Sequence, residues 1–232
     1  MDRPPGGRRW PVTLRHEDLV LRPMRMRDAA DWERVRRRNA GWLRPWEATL
    51  PPSAEPGPPT YGALVRALNR QARDGRMLPW LISYQPDHAR SSRPVLAGQL
   101  TVSGIVGGSA ASAQIGYWID QQWAGRGLTP LAVAMAMDYC YRTLRLHRIE
   151  VAIRPENTRS LRVVEKLGFR PEGVRPRYLH IDGDWRDHLI FALNSDEVGD
   201  GMVARWLSKR DHDQQGLVDH PDASASPSDQ LG

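Results

Sequence analysis

The fold of this chain is decided by the stretch Gln122-Trp123-Ala124-Gly125-Arg126-Gly127-Leu128-Thr129. It follows an apolar run at residues 115–119 that predicts a strand, and it leads into a long apolar segment that predicts a helix. The start of a helix presents unpaired N–H groups and the positive end of the helix dipole, and glycine lets a ligand approach the main chain closely. The stretch therefore predicts a phosphate-binding loop, with a plain strand-to-helix turn as the simpler alternative.

The pattern on both sides of this stretch predicts a mixed α+β domain. Apolar alternation predicts strands at residues 18–24, 80–84, 95–102, 113–119, 147–153, 177–181 and 187–193. Helical spacing predicts helices at residues 28–39, 61–73, 127–143 and 157–167, and a terminal helix over 195–207. The turn Asp182-Gly183-Asp184 predicts a closing hairpin. The order β-α-α-β-β-β-α-β-α-β-β places antiparallel hairpins around one β-α-β crossover.

Charge is unevenly distributed along the chain, which carries a net charge of +6. Four arginines lie on the first predicted helix, at Arg34, Arg36, Arg37 and Arg38. A basic surface indicates an anionic partner such as CoA phosphates, RNA or a ribosome, or else a solvated arginine-rich face. We expect a basic N-terminal arm at residues 1–17, one domain at 18–208 and an acidic, disordered tail at 209–232.

The sequence also indicates where the protein works. It contains no run of about 18 apolar residues that predicts a membrane span, and its N-terminus lacks an apolar signal region. Cys140 is the only cysteine, which excludes an intrachain disulfide and fits a reducing cytoplasm. The histidines show no spacing typical of metal ligands, so we expect no metal.

Two motifs resemble the GNAT acetyltransferase superfamily. The Gln-x-x-Gly-x-Gly spacing that ends at Gly127 is similar to its acetyl-CoA pyrophosphate loop, and Asn157-Thr158-Arg159-Ser160 is similar to the helix start beside the CoA sulfur. The resemblance implies the GNAT fold, with a mixed, mostly antiparallel sheet, one β-α-β crossover and helices on both faces. It also implies acetyl-CoA as the acyl donor, contacted by Trp118, Ile119, Gln122, Gly125, Arg126, Gly127, Leu128, Thr129, Asn157 and Ser160.

Two further blocks resemble the RimJ-type ribosomal-protein-alanine N-acetyltransferases within this superfamily. They are Asn39-Ala-Gly-Trp-Leu-Arg-Pro-Trp46-Glu47 and the segment from Tyr178 to His188. The resemblance implies that these blocks flank an acceptor site, with Trp46, Glu47, Tyr178 and Asp182 as substrate-binding residues. It also implies catalytic roles for Ser160, as proton donor to the departing thiolate, and for Glu47 and Tyr178. The simpler alternatives are a helix cap at Asn157, a core tryptophan at Trp46 and a solvated carboxylate at Glu47.

The function implied is direct transfer of an acetyl group from acetyl-CoA to a protein N-terminal α-amine, with alanine of a small-subunit ribosomal protein as one candidate. An α-amine costs about 1 kcal/mol to deprotonate at pH 7, whereas a lysine costs over about 4 kcal/mol, so a weak base such as Glu47 acting through water suffices. Two alternatives stay open. One is an enzyme that acetylates a small-molecule amine, such as an antibiotic or polyamine, and the other is a non-catalytic module that holds CoA and binds RNA or the ribosome.

Overall fold

The computed structural model describes residues 10–86 and 94–218. Its strands are β1 (Leu14–His16), β2 (Leu19–Pro23), β3 (Leu78–Tyr84), β4 (Val95–Val106), β5 (Ser112–Ile119), β6 (Arg148–Ile153), β7 (Arg170–Ile181) and β8 (Asp184–Asn194). Its helices are α1 (Ala29–Arg38), α2 (Ala40–Leu43), α3 (Tyr61–Arg73), α4 (Leu128–Arg142), α5 (Thr158–Leu167) and α6 (Met202–Val218). The helix α3 has the bounds that its sequence pattern predicts.

The strands form one sheet in the order β1-β2-β3-β4-β5-β6-β8-β7. All neighbours are antiparallel except β5 and β6, which are parallel and joined by α4. The two strands are paired only between Ser112–Gln114 and Arg148–Glu150, so they diverge after these residues. The sheet therefore opens into a wedge between the second half of β5 and the second half of β6.

Helices cover both faces of the sheet, as predicted. On one face, α4, α5 and α6 bury the larger core, in which Trp80 and Ile82 of β3 are fully buried. On the other face, α1 and α3 cover a smaller cluster that contains Leu81 of the same strand. Successive residues of a strand point to opposite faces, so β3 supplies both cores. The α+β class and the position of the β-α-β crossover are confirmed.

Local signals explain where the helices begin and end. The Thr60 hydroxyl accepts from the Ala63 amide at 3.2 Å and so caps α3. Asn157 caps α5 in the same way, through its side-chain oxygen and the Ser160 amide at 3.1 Å. Gly168 ends α5 in the left-handed region, at φ 76°, which a residue with a Cβ adopts only at a cost.

The structure has helices and strands that extend across the predicted boundaries in three places. The basic arm predicted to end at residue 17 contains β1, and Trp10 and Val12 are buried in the core. The acidic tail predicted to start at residue 209 begins as part of α6, which runs to Val218. The closing strand β7 begins at Arg170, earlier than predicted, because its first half pairs with β8 despite having no apolar alternation. Residues 1–9 and 219–232 of the predicted arm and tail lie outside the described residues.

Candidate active site

The predicted phosphate loop lies between β5 and α4. A short 3-10 turn, Gln121–Trp123, follows β5, and the chain then passes through two glycines in the left-handed region, Gly125 at φ 80° and Gly127 at φ 77°. The Leu131 amide donates to the Gly127 carbonyl at 3.2 Å, which is the first helical bond of α4. Within the described parts of the chain, the amides of residues 125–129 have no backbone acceptor. Free amides on a glycine turn at a helix start form the geometry that a phosphate group requires.

The side chains of this loop differ in what they can contribute. Leu128 is buried in the core, so only its amide can face a ligand. The Arg126 guanidinium lies 4.9 Å from the ring centroid of Trp123, a buried core residue, and the Arg126 side chain remains exposed beside the loop. The Gln122 amide donates to the Asp120 carboxylate at 3.2 Å, while its side chain is exposed. Thr129 is half-buried in the first turn of α4.

The wedge between β5 and β6 leaves a length of β5 main chain without a strand partner on one side. Trp118 and Ile119, the predicted contacts of the pantetheine arm, lie in this stretch. The Ile119 carbonyl already accepts a hydrogen bond from the Trp42 indole N–H at 3.0 Å. The Arg159 guanidinium of α5 stacks 4.4 Å from the centroid of the same indole. Trp42 therefore links the end of β5 to the start of α5 across the wedge.

The predicted sulfur side of the site is the start of α5. The Asn157 side-chain oxygen is used as the helix cap, so the capping alternative holds for that atom. Its side-chain nitrogen makes no hydrogen bond to any residue that the structure describes, and so it is available to a ligand. Ser160, half-buried in the first turn of α5, lies beside Tyr117 of β5. The structure thus brings Asn157 and Ser160 to the open side of β5.

The predicted acceptor side is built from two segments that are far apart in sequence and joined in space. The Asp182 amide donates to the Glu47 carbonyl at 3.1 Å, and the Thr49 amide donates to the His180 carbonyl at 2.9 Å. The Thr49 hydroxyl accepts from the Gly183 amide at 3.0 Å and contacts the His180 ring at 2.8 Å. The Arg44 guanidinium pairs with the Asp182 carboxylate at 3.0 Å. The loop after α2 is therefore tied to the β7–β8 hairpin.

The predicted acceptor residues have unequal surroundings. Trp46 is half-buried, with the Arg154 guanidinium 5.5 Å from its ring centroid. The Glu47 carboxylate is 42% exposed and forms an ion pair with Arg36. Arg36 is held between the rings of Trp32 and Trp118, at 5.5 and 5.4 Å, and burial lowers its pKa. The carboxylate proposed as a base therefore has a fixed cation beside it.

Tyr178, the remaining predicted residue, lies next to the closed end of the wedge. Its hydroxyl accepts from the Gln114 side chain at 3.1 Å and from Arg175 at 3.2 Å. Gln114 is the last residue of β5 that pairs with β6. Tyr178 thus faces the point where the strands diverge, while its strand also carries Asp182 at the hairpin turn.

Sequence reasoning missed a buried polar network behind the loop. The Asp120 carboxylate, 1% exposed, accepts from the Asn39 side chain at 2.9 Å and pairs with Arg38. Asn39 in turn accepts from the Gln121 amide at 2.9 Å. Asn39 is the first residue of the acceptor block, but its partner lies 81 positions away, so no local spacing could identify it. Two arginines predicted to form part of a basic surface are therefore engaged within the domain: Arg38 pairs with Asp120, and Arg36 pairs with Glu47.

Two titratable side chains outside the proposed mechanism, those of Cys140 and His188, are buried in the fold. Cys140 is fully buried, and burial raises the pKa of its thiol to about 12, so the thiol is not a nucleophile at neutral pH. His188 is buried on β8, and burial lowers its pKa. Among the described residues, no group of three or more potential ligands could hold a metal ion. Within the same ranges, the longest apolar helices are too short or too polar to cross a bilayer.

Comparisons with known proteins agree with this geometry. The family model described as an acetyltransferase (GNAT) domain matches residues 18–170. The [ribosomal protein uS5]-alanine N-acetyltransferase of Escherichia coli is 33% identical over 184 residues, which cover 79% of this chain and 91% of that protein. A shorter similarity, 32% over 75 residues, is to the spermidine N(1)-acetyltransferase of Escherichia coli and covers 32% of this chain and 40% of that protein.

A solved structure extends the comparison. Mycobacterium smegmatis RimJ in complex with CoA-disulfide matches with a TM-score of 0.76 and 36% identity, covering 86% of this chain and 95% of that one. The residues matched by the family model include both the predicted phosphate loop and the block that ends at Glu47.

Proposed function

This chain belongs to the GNAT acetyltransferases, with acetyl-CoA as its acyl donor, and we propose that its acceptor is the N-terminal α-amine of a protein. The predicted fold, enzyme class and acyl donor are confirmed by that membership. The finer proposal names alanine at the N-terminus of a small-subunit ribosomal protein. Its main support is similarity to the uS5-alanine enzyme over 91% of that protein's length.

One structural observation supports an acceptor site at the mouth of the wedge. The segment from Trp42 to Thr49 contacts β5 through the Ile119 carbonyl and contacts the hairpin through the Asp182 amide. The acceptor block therefore borders the main chain that we propose binds the pantetheine arm. An amine that enters beside Trp46 would approach the thioester from the side opposite the phosphate loop.

We propose the following roles for this chain's residues. The free amides of residues 125–129, with Arg126 beside them, bind the diphosphate of acetyl-CoA. The Asn157 amide and the Ser160 hydroxyl lie at the sulfur, and Ser160 donates its proton toward the departing thiolate. Glu47 accepts the amine proton through water, and its pairing with Arg36 fixes the carboxylate in place. Tyr178 and Asp182 orient the incoming peptide.

The structure does not favour an RNA-binding module. Arg36 and Arg38 pair with Glu47 and Asp120 within the domain, and Arg34 pairs with Asp31. A ribosome contact would use exposed arginines such as Arg37. We place the reaction in the cytoplasm, where ribosomal proteins are made and where the free thiol of Cys140 stays reduced.

A substrate panel tests the acceptor. The purified protein is incubated with acetyl-CoA and with peptides that start with Ala, Ser or Asp, an N-blocked lysine peptide, or spermidine, and thiol release is followed. Turnover restricted to free α-amines supports the proposal, and a preference for Ala supports the finer form. Turnover on spermidine contradicts it in favour of a small-molecule enzyme. Tight CoA binding without turnover would indicate a non-catalytic module.

Two substitutions test the proposed roles. Ser160→Ala should lower kcat more than it raises KM for acetyl-CoA, because its hydroxyl acts only as the thiolate forms. Glu47→Gln should lower kcat most at low pH, where the amine is protonated and depends on the base. Wild-type kinetics in either variant would remove that residue from the mechanism. Asp74→Asn, in an exposed ion pair with Arg76, is the matched control and should leave both constants unchanged.

A further inference from the structure

The hydroxyl of Tyr117 is a buried polar group that the chemistry above leaves unused. Tyr117 lies on β5, and its hydroxyl oxygen is buried without a hydrogen-bond partner among the residues that the structure describes. Burying a hydroxyl without a partner costs free energy, so buried polar groups in folded proteins are nearly always hydrogen-bonded. A single unpaired hydroxyl at the edge of a ligand site therefore indicates a ligand-dependent role.

The position of Tyr117 indicates what that role is. It lies in the half of β5 that β6 does not pair with, and its ring packs on the core covered by α4 and α5. Ser160, in the first turn of α5, lies beside it. Burial raises the pKa of Tyr117, and the Ser160 side chain opposes that shift less strongly. The tyrosine is therefore protonated at neutral pH and acts as a hydrogen-bond donor.

We propose that Tyr117 is a positioning residue for acetyl transfer, whose O–H donates to Ser160 Oγ and so directs the Ser160 O–H toward the CoA sulfur. The proposal rests on the placement of the thioester beside Ser160 proposed above, and it does not depend on which amine is the acceptor. A donor to Ser160 Oγ also polarises the serine O–H, since hydrogen bonds in a chain strengthen one another.

The chemical step balances without any further reactant. The amine nitrogen forms a bond to the thioester carbonyl carbon, and the carbon–sulfur bond breaks, leaving the electron pair on sulfur as a thiolate. The amine proton goes to the base or to water. Ser160 stabilises the thiolate by donating its hydrogen bond, and Tyr117 supplies the second hydrogen bond of the chain without losing its proton.

The test measures the thiol of bound CoA, so it needs no acceptor. The pKa of that thiol is followed by the ultraviolet absorbance of the thiolate in complexes of CoA with the wild type, Tyr117→Phe, Ser160→Ala and the double variant. We expect each single substitution to raise the thiol pKa, by up to about one unit. The double variant should match Ser160→Ala alone, because Tyr117 acts through the serine.

Tyr141 is a matched control that distinguishes the proposed role of Tyr117 from a role in packing alone. The Tyr141 hydroxyl is buried on the same side of the sheet and donates to the Leu193 carbonyl at 2.6 Å. Tyr141→Phe should lower the melting temperature and leave the bound thiol unchanged. Tyr117→Phe should raise the pKa of the bound thiol without lowering the melting temperature, because the Tyr117 hydroxyl is buried without a hydrogen-bond partner among the described residues. With any amine that turns over, it should lower kcat about three- to tenfold, with KM for acetyl-CoA unchanged.

Two other results would contradict the proposed role of Tyr117. An unchanged thiol pKa in Tyr117→Phe would show that the hydroxyl only fills space and would overturn the proposal. Additive shifts in the double variant would show that Tyr117 contacts the sulfur independently of Ser160, which also contradicts it. Failure of the acceptor panel would leave the thiol titration unaffected, so the two proposals can fail separately.

Discussion

The side chains of Asn39 and Asp120 meet inside the protein, where the Asn39 amide nitrogen donates to the Asp120 carboxylate at 2.9 Å and neither residue is more than 2% exposed. Asn39 follows α1 on the acceptor side, and Asp120 begins the turn that leads to the phosphate loop. This contact couples the two halves of the proposed site. Since Asp120 also accepts from the Gln122 amide, it holds the loop main chain in position.

Asp120→Ala should therefore destabilise the domain and weaken CoA binding together. Removal of the carboxylate leaves one buried N–H of the Asn39 side chain without its acceptor, while the side-chain nitrogen keeps its bond to the Val35 carbonyl, so we expect a loss of about 1–3 kcal/mol in the free energy of unfolding. Urea denaturation measures it, and calorimetry with CoA should show about three- to tenfold weaker binding. Asp74→Ala removes an exposed ion-pair partner of Arg76 and should cost less than about 0.5 kcal/mol. Equal losses in the two variants would contradict the buried network's role.

Gly125→Glu should abolish CoA binding without unfolding the domain. A Cβ at Gly125 would meet no atom within 4 Å, so the cost to the fold is limited to backbone strain at φ 80°, but the negative charge would occupy the place of the diphosphate. Gly108→Glu is the matched control, since Gly108 has the same open surroundings and a positive φ of 63°. It precedes β5, about 23 Å along the strand from the loop. Calorimetry should show lost affinity only in Gly125→Glu, and equal affinities would refute the loop assignment.

Thr49→Val should impair the acceptor and leave acetyl-CoA unaffected. Valine keeps the shape of threonine but removes the hydroxyl that contacts the Gly183 amide and the His180 ring. We expect KM for the acceptor peptide to rise about three- to tenfold, with KM for acetyl-CoA unchanged. Thr60→Val removes the cap of α3 and should cost about 1 kcal/mol of stability without changing either KM. If both variants change the acceptor KM equally, the loop–hairpin contact does not shape the site.

The ion-pair cluster between β6 and β7 should make stability depend on acid pH. Hydrogen bonds from Arg148, and then from Arg170, lower the pKa of Glu172 from 4.5 to about 2. A lowered folded-state pKa stabilises the fold above the unfolded value, so this contribution is full above about pH 4.5 and is lost as the pH falls toward about 2. Solvent screening limits it to about 1 kcal/mol.

Glu172→Gln tests this dependence. The variant should be less stable than the wild type at pH 7, and the two urea curves should converge as the pH falls toward about 2. A difference that stays constant over that range would show that Glu172 stabilises the fold by packing instead of by charge.

Much of the fold could be predicted because its signals are local. The apolar spacing of residues 61–73, the two glycines of the proposed phosphate loop and the Asp182-Gly183 turn all act within a few residues, and the structure places each where its pattern indicates. The strand β1 and the first half of β7 were missed, because they lack apolar alternation and exist through pairing with β2 and β8. Pairing partners supply hydrogen bonds that no local pattern records.

The candidate site divides in the same way. The sequence alone predicted most of the order of elements and the glycine turn of the proposed phosphate loop, because glycine conformation, helix capping and apolar periodicity are properties of neighbouring residues. It indicated the proposed acceptor block only through the resemblance to a known family. Only the tertiary structure decided that Asn39 meets Asp120, that Arg36 pairs with Glu47 and that Tyr117 lies beside Ser160. These partners are separated by 11 to 81 positions, so their contacts depend on how the packed sheet and helices place them.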